Sequence, residues 1–195
     1  MSRILAQNET RQAENGRMFS VFRPMIQAAG GLTLGQVCSI TRLEASTVQN
    51  WIKRGFVARP VNKKYYERQL ARILLIDLLR DCMQIERIGE LCRIVNGSTE
   101  DSGDDLIPES VLVDRIEWIL NDRKEEIVDE KSLLLLAEEA VKDYEPNDPT
   151  DKTRLHWALK VMLLAATSVR FKQKAEKEMD LLSAFTEKQI RKETK

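Results

Sequence analysis

The chain has 195 residues, 43% hydrophobic and 32% charged, with 31 Lys+Arg against 31 Asp+Glu and a single His. That balance excludes a largely disordered chain and suits a charge-laced helical protein with a sizeable core. No run approaches the roughly 18 apolar residues of a membrane span, and the first residues lack the apolar stretch of a signal peptide.

The zero net charge hides segregation. Residues 17–95 hold 13 Lys+Arg against 6 Asp+Glu, a net of +7; residues 96–152 hold 6 against 18, a net of −12; residues 153–195 hold 10 against 5, a net of +5. A basic module ahead of an acidic middle favours a polyanion partner for the first module, although charges that merely solvate helical surfaces would look the same. Cys38, Cys82 and Cys92 are odd in number and lack metal-ligand spacing, which predicts reduced, buried thiols of a cytoplasmic protein.

In chain order, residues 1–17 read as polar and loose. Residues 18–30 carry apolar positions and stop at Gly30-Gly31, with Pro24 arguing against an unbroken helix. Thr33, with Gln36 in the capping-box position, predicts a short helix over about 34–39, its apolar face made by Leu34, Val37 and Cys38. Thr41-Arg42-Leu43 is a turn. A second helix over about 45–54 ends at Gly55. Phe56 and Val57 then lead into a short wing that bends at Pro60 and Asn62 and returns through Tyr65-Tyr66.

A third helix over about 67–83 has Leu70, Ile73, Leu74, Ile76, Leu78 and Leu79 on a broad apolar face. A fourth over about 85–95 uses Ile85, Ile88, Leu91, Cys92 and Val95. Residues 98–110, rich in Gly, Ser and acidic residues, read as a linker. Pro108 opens a fifth helix striped by Leu112, Ile116, Ile119 and Leu120. Residues 131–144 form a sixth. A long helix starts near 150 with Asp151 as cap, and Leu155, Leu159, Met162, Leu163, Ala166 and Val169 recur at helical spacing. Its pattern thins after Phe171 and returns at Leu181, Leu182 and Phe185. The predicted fold is mainly α: a winged helix-turn-helix over 18–97 with a small β wing, an acidic linker over 98–110, and an all-α region over 111–195 ending in the long helix.

The second helix sorts its side chains by face. Ser46, Gln49, Asn50 and Lys53 share one side, while Val48 and Ile52 point away from it. Gln and Asn suit bidentate contacts to adenine in the major groove, Ser bonds to several base edges, and Lys reaches phosphate or guanine. Such residues near the start of a recognition helix read bases; the same face could also be plain solvated surface. Thr47 can offer its hydroxyl and backbone N–H to a phosphate. Arg54, Arg59, Lys63 and Lys64 flank or form the wing, where basic residues grip phosphates or block strand pairing. Trp51, Phe56, Tyr65 and Tyr66 read as the core between wing and helix rather than a stacking platform, with the Tyr66 hydroxyl free to meet a phosphate.

The stretch LTLGQVCSITRLEASTVQNWIKRGFV, followed by KKYYERQLARILLIDLLRD, resembles the winged helix-turn-helix of the MerR family, and more narrowly a MerR-like family of uncharacterised bacterial proteins. The resemblance covers about residues 20–120. It implies a dimeric transcriptional regulator that binds double-stranded DNA and joins through C-terminal helices. It implies DNA contacts at Ser46, Thr47, Gln49 and Asn50 and, in the wing, at Lys63, Lys64 and Tyr66. Two departures stand out: Gln49-Asn50-Trp51 replaces the usual Arg and aromatic triplet, and the wing shortens to Asn62-Lys63-Lys64-Tyr65. The alternative is a protein-interaction module that keeps this fold without DNA, its acidic middle binding a basic partner or masking the reader.

Sensing and catalysis find little support. With no Cys beyond Cys92 and His156 beside Trp157, a metal sensor is not expected. Trp118, Tyr144 and Trp157 could line an effector pocket or simply pack. There is no nucleophile elbow, P-loop or dinucleotide fingerprint, and Glu125-Glu126 and Glu138-Glu139 read as solvated faces. No enzyme, cofactor or membrane association is expected.

Overall fold

The computed structural model describes residues 18–99, 103, 105–145 and 148–193, with side chains through residue 186. The loose stretch expected over residues 1–17 lies outside them, as does part of the 98–110 linker. Eight α-helices follow one another among the described residues: α1 (Met18–Ala28), α2 (Leu34–Thr41), α3 (Ala45–Lys53), α4 (Glu67–Leu79), α5 (Ile85–Asn96), α6 (Glu109–Glu117), α7 (Glu130–Ala140) and α8 (Pro149–Glu193).

Local chemistry explains most helix ends. Thr33 and Gln36 form the expected capping box: the Gln36 N–H donates to Thr33 Oγ1 at 3.3 Å, and the Thr33 N–H to Gln36 Oε1 at 2.8 Å. At the end of α1 the Gly31 N–H reaches back to the Ile26 carbonyl and the Gly30 N–H to that of Gln27, a Schellman closure with Gly30 at φ +59°. Gly55 closes α3 the same way, with φ +78°. Asp148 rather than Asp151 caps α8, accepting from the Thr150 N–H at 2.8 Å; Asp151 instead pairs with Arg154 one turn on.

Pro24 does not break α1, which runs through it. Tertiary anchors on both sides outweigh the lost backbone bond. Phe19 and Ile26 are buried, the Phe19 N–H donates to Asp114 Oδ1 of α6 at 3.0 Å, and Arg23 grips Glu67 of α4 with two hydrogen bonds at 2.7 and 2.8 Å.

The hub is α4. Leu70, Ala71, Ile73, Leu75, Ile76 and Leu79 are all buried in a core that continues from Phe19 to Ala166. Between its two parts, the described residues Ser98, Asp105 and Leu106 are held to the N-terminal helices. Arg68 Nη2 donates to the Ser98 carbonyl at 2.8 Å and to Asp105 Oδ1 at 2.9 Å, and the Leu106 N–H donates to the Val95 carbonyl at 2.8 Å. Within this core Arg72 of α4 meets Glu109 of α6, both almost wholly buried. The Cys92 thiol beside them is pushed up to about 11 by burial, so it stays protonated.

Past α6 the helix widens into one π turn, Trp118–Asp122. Arg170 of α8 donates to the Leu120 carbonyl there and to Asn121 Oδ1, satisfying backbone that the irregular turn exposes.

Three further expectations change. No strand forms among the described residues, so the β wing is absent; two isolated bridges, Leu32 with Tyr65 and Val61 with Lys64, stand in its place. Of the cysteines only Cys92 is buried; Cys82 is exposed and Cys38 half-buried. Trp157 is exposed rather than packed, because α8 turns its opposite side to the core.

Candidate nucleic-acid interface

The unit under α3 is a helix-turn-helix. Between α2 and α3 the chain reverses through Arg42 at φ +58°. Thr41 holds this turn: its hydroxyl donates to the Val37 carbonyl at 2.9 Å and accepts from the Leu43 N–H at 3.4 Å. Leu43, Val48 and Trp51 are buried beneath it, and the Arg80 guanidinium lies 6.0 Å from the Trp51 ring centre.

With Val48 and Trp51 held inward, the rest of α3 has one orientation. Ser46, Gln49, Asn50 and Lys53 are all exposed on a common arc, as their spacing requires. Thr47 is half-buried at the edge, and its N–H is already donated to the Glu44 carbonyl at 3.0 Å. Only its hydroxyl remains for a phosphate. Glu44, the residue ahead of α3, is exposed; its carboxylate favours the positive end of the helix dipole and opposes a phosphate at that spot.

The wing is a two-residue turn. Val61 and Lys64 exchange both backbone hydrogen bonds, at 3.0 and 2.9 Å, around Asn62 at φ +51° and Lys63 at φ +62°. Two successive left-handed residues make the type I′ turn that suits a tight hairpin. The ladder stops there for two reasons. Pro60 has no N–H to add. One step further, the buried Gln69 side chain sits between the strands: its Oε1 accepts from the Tyr66 N–H at 2.9 Å and its Nε2 donates to the Arg59 carbonyl at 3.1 Å. The amide replaces a ladder bond and holds the two arms apart.

The remaining cations divide. Arg59, Lys53 and Lys63 are exposed. Arg54 turns away, pairing with Glu86 of α5 and lying 4.9 Å over the Phe56 ring. Lys64 is half-buried and donates to the Gly31 carbonyl at 3.2 Å. The structure thus gives Arg54 and Lys64 intramolecular partners. Tyr66 is 41% exposed rather than part of the core, whereas Tyr65 is buried as expected.

Two residues that support this surface escape a sequence reading. Gln69 is one. Gly31 is the other: at φ +95°, a Cβ there would lie 2.8 Å from Lys64 Cβ and 3.2 Å from the Tyr66 ring. The available signal was the doubled glycine, since Gly30 alone completes the α1 cap. Replacing Gly31 by Ala is expected to lower stability by about 1–3 kcal/mol, through backbone strain and displacement of Lys64 and Tyr66. Urea unfolding measures it; a change within about 0.5 kcal/mol would show that the turn relaxes freely.

Elsewhere, no cluster of His, Cys, Asp or Glu among the described residues could hold a metal, and no described helix is long and apolar enough to cross a membrane. His156 is half-buried and lines a shallow groove with Glu130, Glu138 and Lys160.

Residues 32–114 match a family described as a domain of unknown function (DUF1836). The match begins at the Leu32 bridge to Tyr65 and ends at Asp114, which accepts from α1, so it spans α2 to α5 and both partners of the buried ion pair. The "Uncharacterized protein YkrK" of Bacillus subtilis (strain 168) is 26% identical over 92 residues, 45% of this chain and 40% of that protein. The chain therefore matches less than half the length of that relative. No solved structure matches significantly.

Proposed function

We propose that the chain is a MerR-like, sequence-specific reader of double-stranded DNA that acts as a transcriptional regulator, with α3 as its recognition helix. The observation that carries this reading is the fixed roll of α3. Val48 and Trp51 lock one side into the core, and the outward arc is Ser46, Gln49, Asn50 and Lys53, all of which can hydrogen-bond base edges or phosphates. Lys63 on the turn and Arg59 beside it supply positioning contacts to the backbone.

A second reading, a protein-interaction module on the same fold, draws on the engagement of Arg54 and Lys64 within the chain and on the exposed Glu44. Selection of the full chain against a random duplex pool separates the two. Enrichment of a defined site, with affinity falling steeply as salt rises, supports the reader. Replacing Lys63 by Ala should weaken binding to all sequences alike and reduce the salt slope by about 1. No salt-dependent affinity for any duplex would refute the reader and leave the interaction module.

A further inference from the structure

A cavity of about 660 Å³ opens beside the C-terminal end of α3. Its walls are residues 54–56, one face of α5 and residues 97–99. Glu86, Gly89, Glu90 and Arg93 make that face, as their helical spacing requires. Glycine provides the room. A Cβ at Gly89 would stand 2.8 Å from the Phe56 ring, so the ring rests on bare α5 backbone, and a Cβ at Gly55 would meet nothing within 4 Å. The volume falls within the roughly 300–1,000 Å³ of small-molecule sites, and the charged lining calls for a polar occupant.

The charges on its walls are unequally engaged. Arg72, buried at the inner side, is held by Glu109. Arg54 pairs with Glu86, and Glu90 with Arg87 at 2.7 Å. Arg93 is exposed, and its side chain has no ion pair or hydrogen bond among the described residues. The cavity also has an inner end. A void of about 10 Å³ shares Arg72 and Thr99 with it and is lined further by Arg68 and Glu109. That is room for a single water-sized atom. Glu109 Oε1 accepts from Arg72, whereas its Oε2 is buried and accepts from no donor among the described residues. A buried acceptor left so is costly, and a donor reaching it would be bound firmly. The two guanidinium groups on this void repel an ammonium. A hydroxyl suits it, donating to Glu109 Oε2 while its lone pairs face the cations.

We propose that this cavity binds a phosphorylated sugar or polyol, its phosphate held at the mouth by Arg93 and Arg54 and one hydroxyl held at the inner end by Glu109 Oε2. The guanidinium fork matches paired phosphate oxygens, and a dianionic monoester answers two cations where a carboxylate answers one. Glu86 competes with the phosphate for Arg54. Its side chain is 61% exposed, so it can turn into water when the ligand enters. A free sugar lacks the anion, and inorganic phosphate cannot span from the mouth to Glu109. The site does not depend on what α3 reads.

Calorimetric titration of the full chain, without DNA, tests this. At least one of glucose 6-phosphate, ribose 5-phosphate and glycerol 3-phosphate should bind at a single site per chain with Kd below about 1 mM. Inorganic phosphate, glucose and gluconate should each bind at least about ten-fold more weakly than the best of these. Arg93→Gln should weaken binding by about ten-fold or more. Glu86→Gln should tighten it about two- to five-fold, by removing the competitor for Arg54. Both side chains are exposed, so both variants should keep the parent melting curve. In an amide NMR spectrum the signals of Gly55, Gly89 and Gly97 should move on titration, and those of Gly30 and Gly31 should stay. No binding of any of the three phosphate esters, inorganic phosphate or gluconate binding as tightly as the best ester, an unchanged Kd in Arg93→Gln, weaker binding in Glu86→Gln, or shifts at Gly30 and Gly31 instead would each overturn the proposal.

Discussion

Replacing Glu109 by Ala is expected to destabilise the chain by about 3–5 kcal/mol, the usual cost of leaving one member of a buried ion pair without its partner. Arg72 Nε donates to Glu109 Oε1 at 2.9 Å, and its Nη2 to the same oxygen, with 5% and 1% of the two side chains exposed. The truncated protein would hold a buried guanidinium without the carboxylate it is hydrogen-bonded to. Against a total stability of about 5–15 kcal/mol, this is a large fraction. It corresponds to a fall in Tm of roughly 6–20 °C for a chain of this size. Thermal and urea unfolding check it. The double replacement Arg72→Met with Glu109→Leu should recover most of the loss, because two apolar side chains need no partner there. A single mutant within about 1 kcal/mol of the parent would mean that water reaches Arg72 and that α4 and α6 are not joined through this pair.

Replacing Gln49 and Asn50 together by Ala is expected to cost about 2–6 kcal/mol of specific DNA affinity, taking about 1–3 kcal/mol for each lost bidentate contact. Both side chains are exposed on α3 and neither contributes to the core. Stability should therefore move by no more than about 0.5 kcal/mol. That contrast gives the measurement its force. Binding to the selected site should collapse toward the non-specific level while the melting curve stays in place and the salt slope is retained, since the phosphate contacts are proposed at Arg59 and Lys63. Equal loss on specific and random duplexes would assign Gln49 and Asn50 to positioning rather than readout. No loss on either would remove α3 from the interface.

Much of the helix-turn-helix was legible because its signals are local. Thr33 with Gln36 marked the start of α2 by chemistry that acts over three residues, and Gly55 marked the end of α3. The sorting of Ser46, Gln49, Asn50 and Lys53 away from Val48 followed from helix geometry alone. The candidate site was legible to the same depth: which residues share a face, but not which cations are free to use it. Arg54 looked like its neighbour Lys53 until α5 presented Glu86 to it. Lys64 looked like Lys63 until the absence of a side chain at Gly31 let it settle against that carbonyl. The wing failed as a β element for a similar reason. Its bend was expected at Pro60 and Asn62 and falls at Asn62 and Lys63, and a glutamine from the following helix occupies the position where the ladder would have grown.

Composition, caps and periodicity by themselves determined that this chain is mainly helical, where most of its helices begin and end, and how the side chains of α3 divide. Those properties depend on interactions within about one turn of the chain. The tertiary structure alone decided the rest. It paired Arg72 with Glu109 across 37 residues, joined the two halves into one core across a stretch that reads as a linker, and carried α1 through Pro24. It also decided which of the two apolar stripes of α8 faces the body and which meets water. A helical period shows that a stripe exists; only the neighbouring helices settle which side of it meets water.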